Sequence, residues 1–288
     1  MPIPLTLQLG LRWLVVVGVL GWLAPSAAQA EKAPPCGALR LSLLTYPGIF
    51  EIDAKGNASG FEAELAKELA TRSGCQIDIV PTNTARLWPA IKNGLTDLTG
   101  GAAYLPERRL EADFLWIEHA RVLVLMQAIT AQANPDQASF DSEPDKLLGI
   151  VRSARRGPQA QAWVDKLRAR GRVRESADMP ALLRAFEAGR VHAVLIYPGA
   201  VVKKGEPWLA AHTLKDWMPK DRFSSGWAVS RITVPEPHRR QLREAAEALR
   251  ADGTLMRILR KNLGESVSHY YDFQPAPPEL EREPAAKP

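Results

Sequence analysis

Cysteine is close to absent from this chain: Cys36 and Cys75 are its only two in 288 residues. That excludes a disulfide-dense scaffold and a four-cysteine zinc site. Histidine is scarce as well. His119, His192, His212, His238 and His269 are scattered, with no pair at metal-ligand spacing, so neither a metal centre nor a cofactor is expected. Long apolar runs are missing after the first thirty residues, which leaves nothing in the body of the chain long enough to span a bilayer. Nor does one sign of charge dominate. There are 37 Lys and Arg against 32 Asp and Glu, a net +5, and the two signs are interleaved. That describes a solvated mixed surface rather than one built for nucleic acid. The densest basic patch is local, from Arg152 to Arg174.

The N-terminus is the first positive feature. Arg12 is the one charge in its first thirty residues, and the apolar run WLVVVGVLGWLA follows from Trp13 to Ala24. Pro25, Ser26 and the triplet Ala28-Gln29-Ala30 come next. A basic residue, a short apolar core and an A-x-A site describe a signal peptide cut after Ala30, which directs the mature chain to the periplasm. In an exported protein two thiols pair, so Cys36 and Cys75 are expected to form a disulfide.

The mature chain alternates strands and helices. LRLSLLTY reads as a strand ended by Pro47-Gly48, and the turn from Asp53 to Ser59 leads to a helix. Ser59 and Glu62 have capping-box spacing, Phe61, Leu65 and Leu69 share a face, and Gly74 closes the helix. QIDIVP, the helix LWPAIKNG and the strand LTDLTGGAA continue the series, and PERRLEA reads as a short helical turn. This order with short connections predicts a parallel α/β sheet, with ligands beyond the carboxyl ends of its strands. Loops Tyr46–Phe50 and Gly100–Arg109 fall there. The run from Arg121 to Ile129 reads as one long strand, and a polar stretch follows it. A second strand–helix series starts at LLGIV, GWAVS is a short strand, and two amphipathic helices precede a Pro-rich tail from Pro275 that is expected to be disordered.

Four segments, in order, carry a resemblance: TYPGIFEIDAKGNASGFEAELAKELA, LWPAIKNGLTDLTGGAAYLPERRLEADF, ALLRAFEAGRVHAVL and LREAAEALRADGTLMRILRKNLG. Together they resemble family 3 of the extracytoplasmic solute-binding proteins. The resemblance implies a two-lobed, periplasmic-binding-protein-like α/β fold of type II, each lobe a mostly parallel sheet flanked by helices. RVLVLMQ would carry the chain to the second lobe and GWAVS would bring it back. Residues 31–124 and 225–274 would form the first lobe and 125–224 the second. It further implies a small-molecule ligand, a membrane permease or sensor as partner, and a monomer that is not an enzyme.

Carried over by resemblance, Arg108 matches the arginine that grips the ligand carboxylate, a task its bidentate fork suits. Ala103 and Leu105 stand where the family has Ser or Thr. Ala154-Arg155 stands for a Gly-Thr loop, and Tyr197 replaces the acid that receives the ligand ammonium. Gly101 and Ser153 fall in the same loops. Tyr46, Phe50 and Tyr104 are expected to cover an apolar part of the ligand, while Trp88 and Trp116 read as core. An arginine from each lobe, Arg108 and Arg155, beside a helix N-terminus, points to an anionic or carboxylate-bearing solute. Two alternatives accompany this reading. One is an accessory protein whose degenerate cleft serves protein–protein docking. The other is a dehydratase-type enzyme with Glu51, Glu107 or Glu118 as proton donor.

Overall fold

The structure, a computed structural model, describes residues 36–46, 48–127, 135–204, 208 and 211–275. All of these belong to one unit, Ala33–Pro288. The expected signal peptide and the tail beyond Pro275 lie outside the described residues.

A first sheet forms around β1 (Ala38–Leu44), whose Leu39, Leu41 and Leu43 alternate inward. A short hairpin, β2 (Glu51–Ile52) and β3 (Ala58–Ser59), leads into α1 (Phe61–Ser73). Phe61, Leu65 and Leu69 of this helix are buried in the core with Leu41 and Leu43. Gly74 ends it at φ 69°, a conformation glycine adopts without a Cβ penalty. Next come β4 (Gln76–Thr82), α2 (Thr84–Lys92) and β5 (Leu98–Ala103). β1 lies between β4 and β5 and pairs with both in parallel. A 3-10 helix, Pro106–Leu110, precedes β6 (Ala112–Phe114) and β7 (Trp116–Arg121).

The chain leaves this sheet after β7. It breaks at Val122 and resumes as β8 (Leu123–Gln127) in a second sheet, so the strand expected from Arg121 starts at Leu123, and Arg121 itself ends β7. β8 is apolar from Leu123 to Met126 because both of its faces are covered. Val124 and Met126 join a cluster with Phe140, Trp163 and Leu167, whereas Leu123 and Leu125 join one with Leu182 and Phe186. The helices that supply these partners are α3 (Gln137–Ser142), α4 (Pro158–Ala169) and α5 (Met179–Glu187). The polar stretch read as a connection therefore contains a helix. It starts at a capping box in which the Asp136 carboxylate accepts from the Ser139 N–H and the Ser139 hydroxyl accepts from the Asp136 N–H.

The second sheet adds β9 (Leu148–Val151), β10 (Val173–Ser176), β11 (Ala193–Ile196) and β12 (His212–Lys215), in the order β10-β9-β11-β8-β12. β13 (Arg222–Ser230) returns to the first sheet between β5 and β7, antiparallel to both. α6 (Glu236–Ala251) and α7 (Thr254–Leu263) then bring Leu242, Leu249, Leu255 and Leu259 into the first core. β14 (Tyr271–Pro275) pairs with β7 at the sheet edge. Pro275 is thus the last residue of a strand, where the sequence pattern places the start of the tail. The protein is two-lobed, but each sheet is mixed rather than mostly parallel. Three parallel strands form one part of each, and antiparallel strands extend it where the chain crosses between lobes.

One buried charge ties α6 to the first sheet. Asp113 of β6 has a fully buried side chain and is held by Arg231, by Arg239 at 2.7 Å and by Arg243 at 2.6 Å. Isolated, such a carboxylate would cost several kcal/mol, and the surrounding guanidiniums make its ionised form tenable. A second tie is covalent: Cys36 and Cys75 form the disulfide expected of them, with a Cα–Cα distance of 5.1 Å. It fastens the start of β1 to the residue before β4. Replacing both cysteines by serine is expected to lower the unfolding free energy by about 4 kcal/mol, given the separation of 39 residues. A urea melt reads this as a lower midpoint; an unmoved midpoint would show that the bridge contributes nothing.

Candidate functional site

Between the two sheets lies a cavity of about 400 Å3, a volume suited to a small molecule. The first lobe contributes Leu44, Tyr46, Glu62 and Gly101, the crossing strands Glu118 and Ser225, and the second lobe Val151, Arg155, Arg156 and Tyr197. At one end the lobes touch directly. The Tyr46 hydroxyl donates to the Tyr197 carbonyl at 3.2 Å and accepts from the Tyr197 N–H at 3.0 Å. The Tyr271 hydroxyl accepts from the Gly199 N–H at 3.0 Å. Gly199 comes this close because it has no side chain: a Cβ there would fall 2.7 Å from Ile49 Cδ1.

Tyr46, Gly101, Arg155 and Tyr197, four of the residues expected at the site, line this cavity. Others do not. Phe50 has no exposed surface and belongs to the first-lobe core, because the loop Tyr46–Phe50 folds its last ring inward rather than toward the cleft. Ala103 is buried in β5 and offers its carbonyl to Arg108 Nη1 at 3.1 Å. Tyr104 sits edge-on to Phe114, with ring centroids 5.0 Å apart, in a cluster beside α2. Arg108 lies outside the cavity wall, its guanidinium 4.2 Å from the centroid of the Trp88 ring. Trp88 is accordingly a half-buried platform rather than core, whereas Trp116 is core at 1% exposure. Burial lowers the Arg108 pKa to about 10, and the positive charge of Arg155 acts in the same direction.

The second-lobe loop differs from its expected form in two ways. Ser153 is the one non-glycine residue with positive φ, 61°, among the described residues. The left-handed turn at Ser153 comes immediately before the Ala154-Arg155 pair. The N-terminus of α4, expected to favour an anionic ligand, already holds one from the protein itself. The buried Asp221 carboxylate accepts from the backbone N–H groups of Gln159 at 3.1 Å and Ala160 at 2.7 Å. What remains for an anion on this wall is side chains. Arg156 is held by the Val151 carbonyl at 2.9 Å and Arg155 is exposed. Among the described residues neither has a carboxylate partner.

Sequence reasoning missed Glu62. Its capping-box spacing to Ser59 is misleading: the N-cap of α1 is Gly60, with no side-chain cap. The Glu62 carboxylate instead turns inward and accepts from Trp227 Nε1 at 3.1 Å. The signal was its place on the buried side of the helix, four residues before Ala66. Gly100 makes room, since a Cβ there would meet Glu62 Oε1 and the Trp227 indole. Glu118, named in the sequence only as one of three proton donors, also lines the cavity. Burial pushes Glu62 up to about 8, with the nearby Glu118 charge adding to the rise, and pushes Glu118 up to about 7.

A cleft between two lobes joined by crossing strands is the arrangement of a solute receptor. The family model for bacterial extracellular solute-binding proteins, family 3, matches residues 43–265. The chain belongs to this family. No curated protein matches the sequence. Several solved structures of family 3 type share the fold. One is a putative binding component of an ABC transporter from Wolinella succinogenes, complexed with lysine. It is 19% identical, with a TM-score of 0.65, and the match covers 80% of this chain and 97% of that one. Another is an ancestral amino acid-binding protein described as a precursor of cyclohexadienyl dehydratase, at 20% identity, 79% and 96% coverage and a TM-score of 0.63. A histidine kinase sensor domain with similarity to periplasmic binding proteins follows at 16%, with coverages of 79% and 96% and a TM-score of 0.60. Among the described residues of this family 3 protein, no helix is long and apolar enough to cross a membrane.

The raised Glu62 and Glu118 make stability depend on pH with a definite sign. Unfolded glutamates release their protons near pH 4.3, whereas the folded chain keeps these two until about 7 and 8. Within that window the folded state binds more protons, so stability falls as pH rises. The melting temperature is expected to drop between about pH 5 and about pH 8, by roughly 2–4 °C per kcal/mol lost. Glu62→Gln, which can still accept from Trp227, should flatten the slope; a thermal-shift series with identical slopes for both proteins would refute this.

Proposed function

We propose that this chain is a periplasmic solute-binding protein that captures a small carboxylate-bearing solute in the interlobe cleft and presents it to a membrane permease or sensor. The observation that carries the reading is the pair Arg155 and Arg156 on the second-lobe wall of a cavity of about 400 Å3, without a carboxylate partner among the described residues. A guanidinium offers a carboxylate two parallel N–H donors, and such charged bonds are worth about 1.5–3 kcal/mol each. Arg108 stands near enough to Arg155 for their charges to interact, and so it would add positive potential at the rim. The rings of Tyr46 and Tyr197 offer apolar surface around the same space. The amino acids named for the lysine complex and the ancestral amino acid-binding protein carry a carboxylate of this kind. Capture itself would be a closure of the lobes about the crossing strands, shifted by contacts made in the closed state alone.

Calorimetric titration with monocarboxylates, dicarboxylates, keto acids and amino acids tests the reading. At least one carboxylate is expected to bind, and Arg155→Ala with Arg156→Ala together should weaken it between tenfold and about a hundredfold. A set of carboxylates that all fail to bind, or that bind the double variant equally well, would overturn it.

A further inference from the structure

We propose that the pole of the first lobe opposite the cleft is a membrane-docking surface, where three apolar side chains within a ring of cations seat on an anionic lipid bilayer. The inference goes beyond solute capture and does not depend on what the cleft holds.

Five large apolar side chains are exposed among the described residues, and three of them come from neighbouring loops. Leu95 follows α2, Leu110 ends the 3-10 helix and Ile232 follows β13, each more than half exposed. Their loops are tied together. A Cβ on Gly94, the residue before Leu95, would lie 3.7 Å from Ile232 Cγ2. The Arg231 N–H donates to the Glu111 carbonyl at 2.9 Å, which joins the residues next to Ile232 and Leu110. Lys92, at the end of α2, reaches the Glu111 carboxylate at 3.5 Å and closes the triangle. This place lies away from the cavity. β5 and β13 meet the cavity at Gly101 and Ser225, whereas Leu95 and Ile232 lie past the other ends of the same two strands.

The charge around these side chains names the occupant. Ion pairs at this pole turn the cation outward and the acid inward. The side chains of Lys92, Arg40 and Arg231 are 64%, 46% and 32% exposed, and those of their partners Glu111, Asp97 and Asp113 are 25%, 8% and 0%. Arg40 also donates to the Gly94 carbonyl at 3.2 Å, which holds it beside Leu95. Glu236 at the start of α6 is half exposed, but Arg240 and Arg243 both meet it. The surface is therefore outwardly positive although its charges are paired. A second copy of the chain would set like charge against like, which disfavours self-association. The apolar side chains stand on three separate loop tips rather than along one helix face or strand edge, the forms that grip a peptide. Short apolar tips flanked by Lys and Arg suit a lipid interface. The apolar atoms enter the acyl boundary while the cations stay among the headgroup phosphates. Bound in this way, the chain stays at the membrane of its proposed permease or sensor with the cleft turned to solution.

The test uses the chain from Glu31 onward, which contains every described residue. It is sedimented with vesicles of phosphatidylcholine alone and of phosphatidylcholine mixed with phosphatidylglycerol. Binding to the anionic vesicles is expected to exceed that to the neutral ones by about tenfold or more, since each cation near such a surface contributes about fivefold. Salt at roughly 0.5 M should remove most of it. Leu95→Ser, Leu110→Ser and Ile232→Ser together should weaken binding by roughly tenfold or more. Lys92→Glu, a change at an exposed side chain, should weaken it by about fivefold or more. Circular dichroism and the melting temperature confirm the fold of each variant. No binding to anionic vesicles at low salt, or undiminished binding by both variants, would overturn the inference. Retention only by vesicles that carry an acidic protein would also overturn it and assign the surface to a protein partner. A dimer that the serine variant dissolves, with no vesicle binding, would overturn it in favour of a second copy.

Discussion

The antiparallel pairing of β7 with β13 is the constraint on which the rest of this molecule depends. Each strand crosses from one sheet toward the other, and they do so side by side, with Arg121 opposite Arg222 and Glu118 opposite Ser225. Both crossings therefore run together, joined by one ladder. Residues directly opposite on a ladder project to the same face. Glu118 and Ser225 thus both reach the cavity, whereas the neighbouring pair His119 and Ser224 is turned away and bonds to itself.

The charge pattern of the cleft follows from what the protein has already spent on itself. Asp221 occupies the amide donors at the start of α4, and Asp113 absorbs the arginines of the first lobe that lie near α6. Arg172, near the end of the basic patch, donates to the carbonyls of Lys146, Asp141 and Phe140. Much of the arginine content thus stabilises backbone and buried acid. The groups left to a ligand are few and segregated, with arginines on one lobe and carboxyls by the crossing strands.

Much of the architecture was legible because it is written locally. The leucine alternation of β1, the single apolar face of α1 and the punctuation at Gly74 identify their elements without reference to anything distant, and four such segments in order carried the family resemblance. What escaped depends on partners far away in sequence. β14 is five residues long and exists as a strand because β7 offers a free edge. α3 is a single capped turn and a half inside polar sequence, held by Phe140 packing on Trp163 and Trp217. Phe50 and Tyr46 bracket one short loop, yet one ring enters the core and the other reaches the cleft; no pattern distinguishes them. Glu62 satisfied a local rule at the surface and was recruited inward by Trp227, which lies 165 residues further along the chain.

The edge position of β14 also sets an order of events in time. Synthesis and export both deliver a chain from its N-terminus onward, so the residues of the second-lobe strands β8 to β12 and their helices are all present well before Tyr271. Until then β7 has one neighbour fewer and the first core lacks Leu242, Leu249, Tyr271 and Phe273. Non-local pairing of this kind is slow and leaves apolar surface uncovered while it waits. The lobe that begins the chain is therefore the last to have all of its residues available, since its edge strand β14 comes after everything that builds the second lobe.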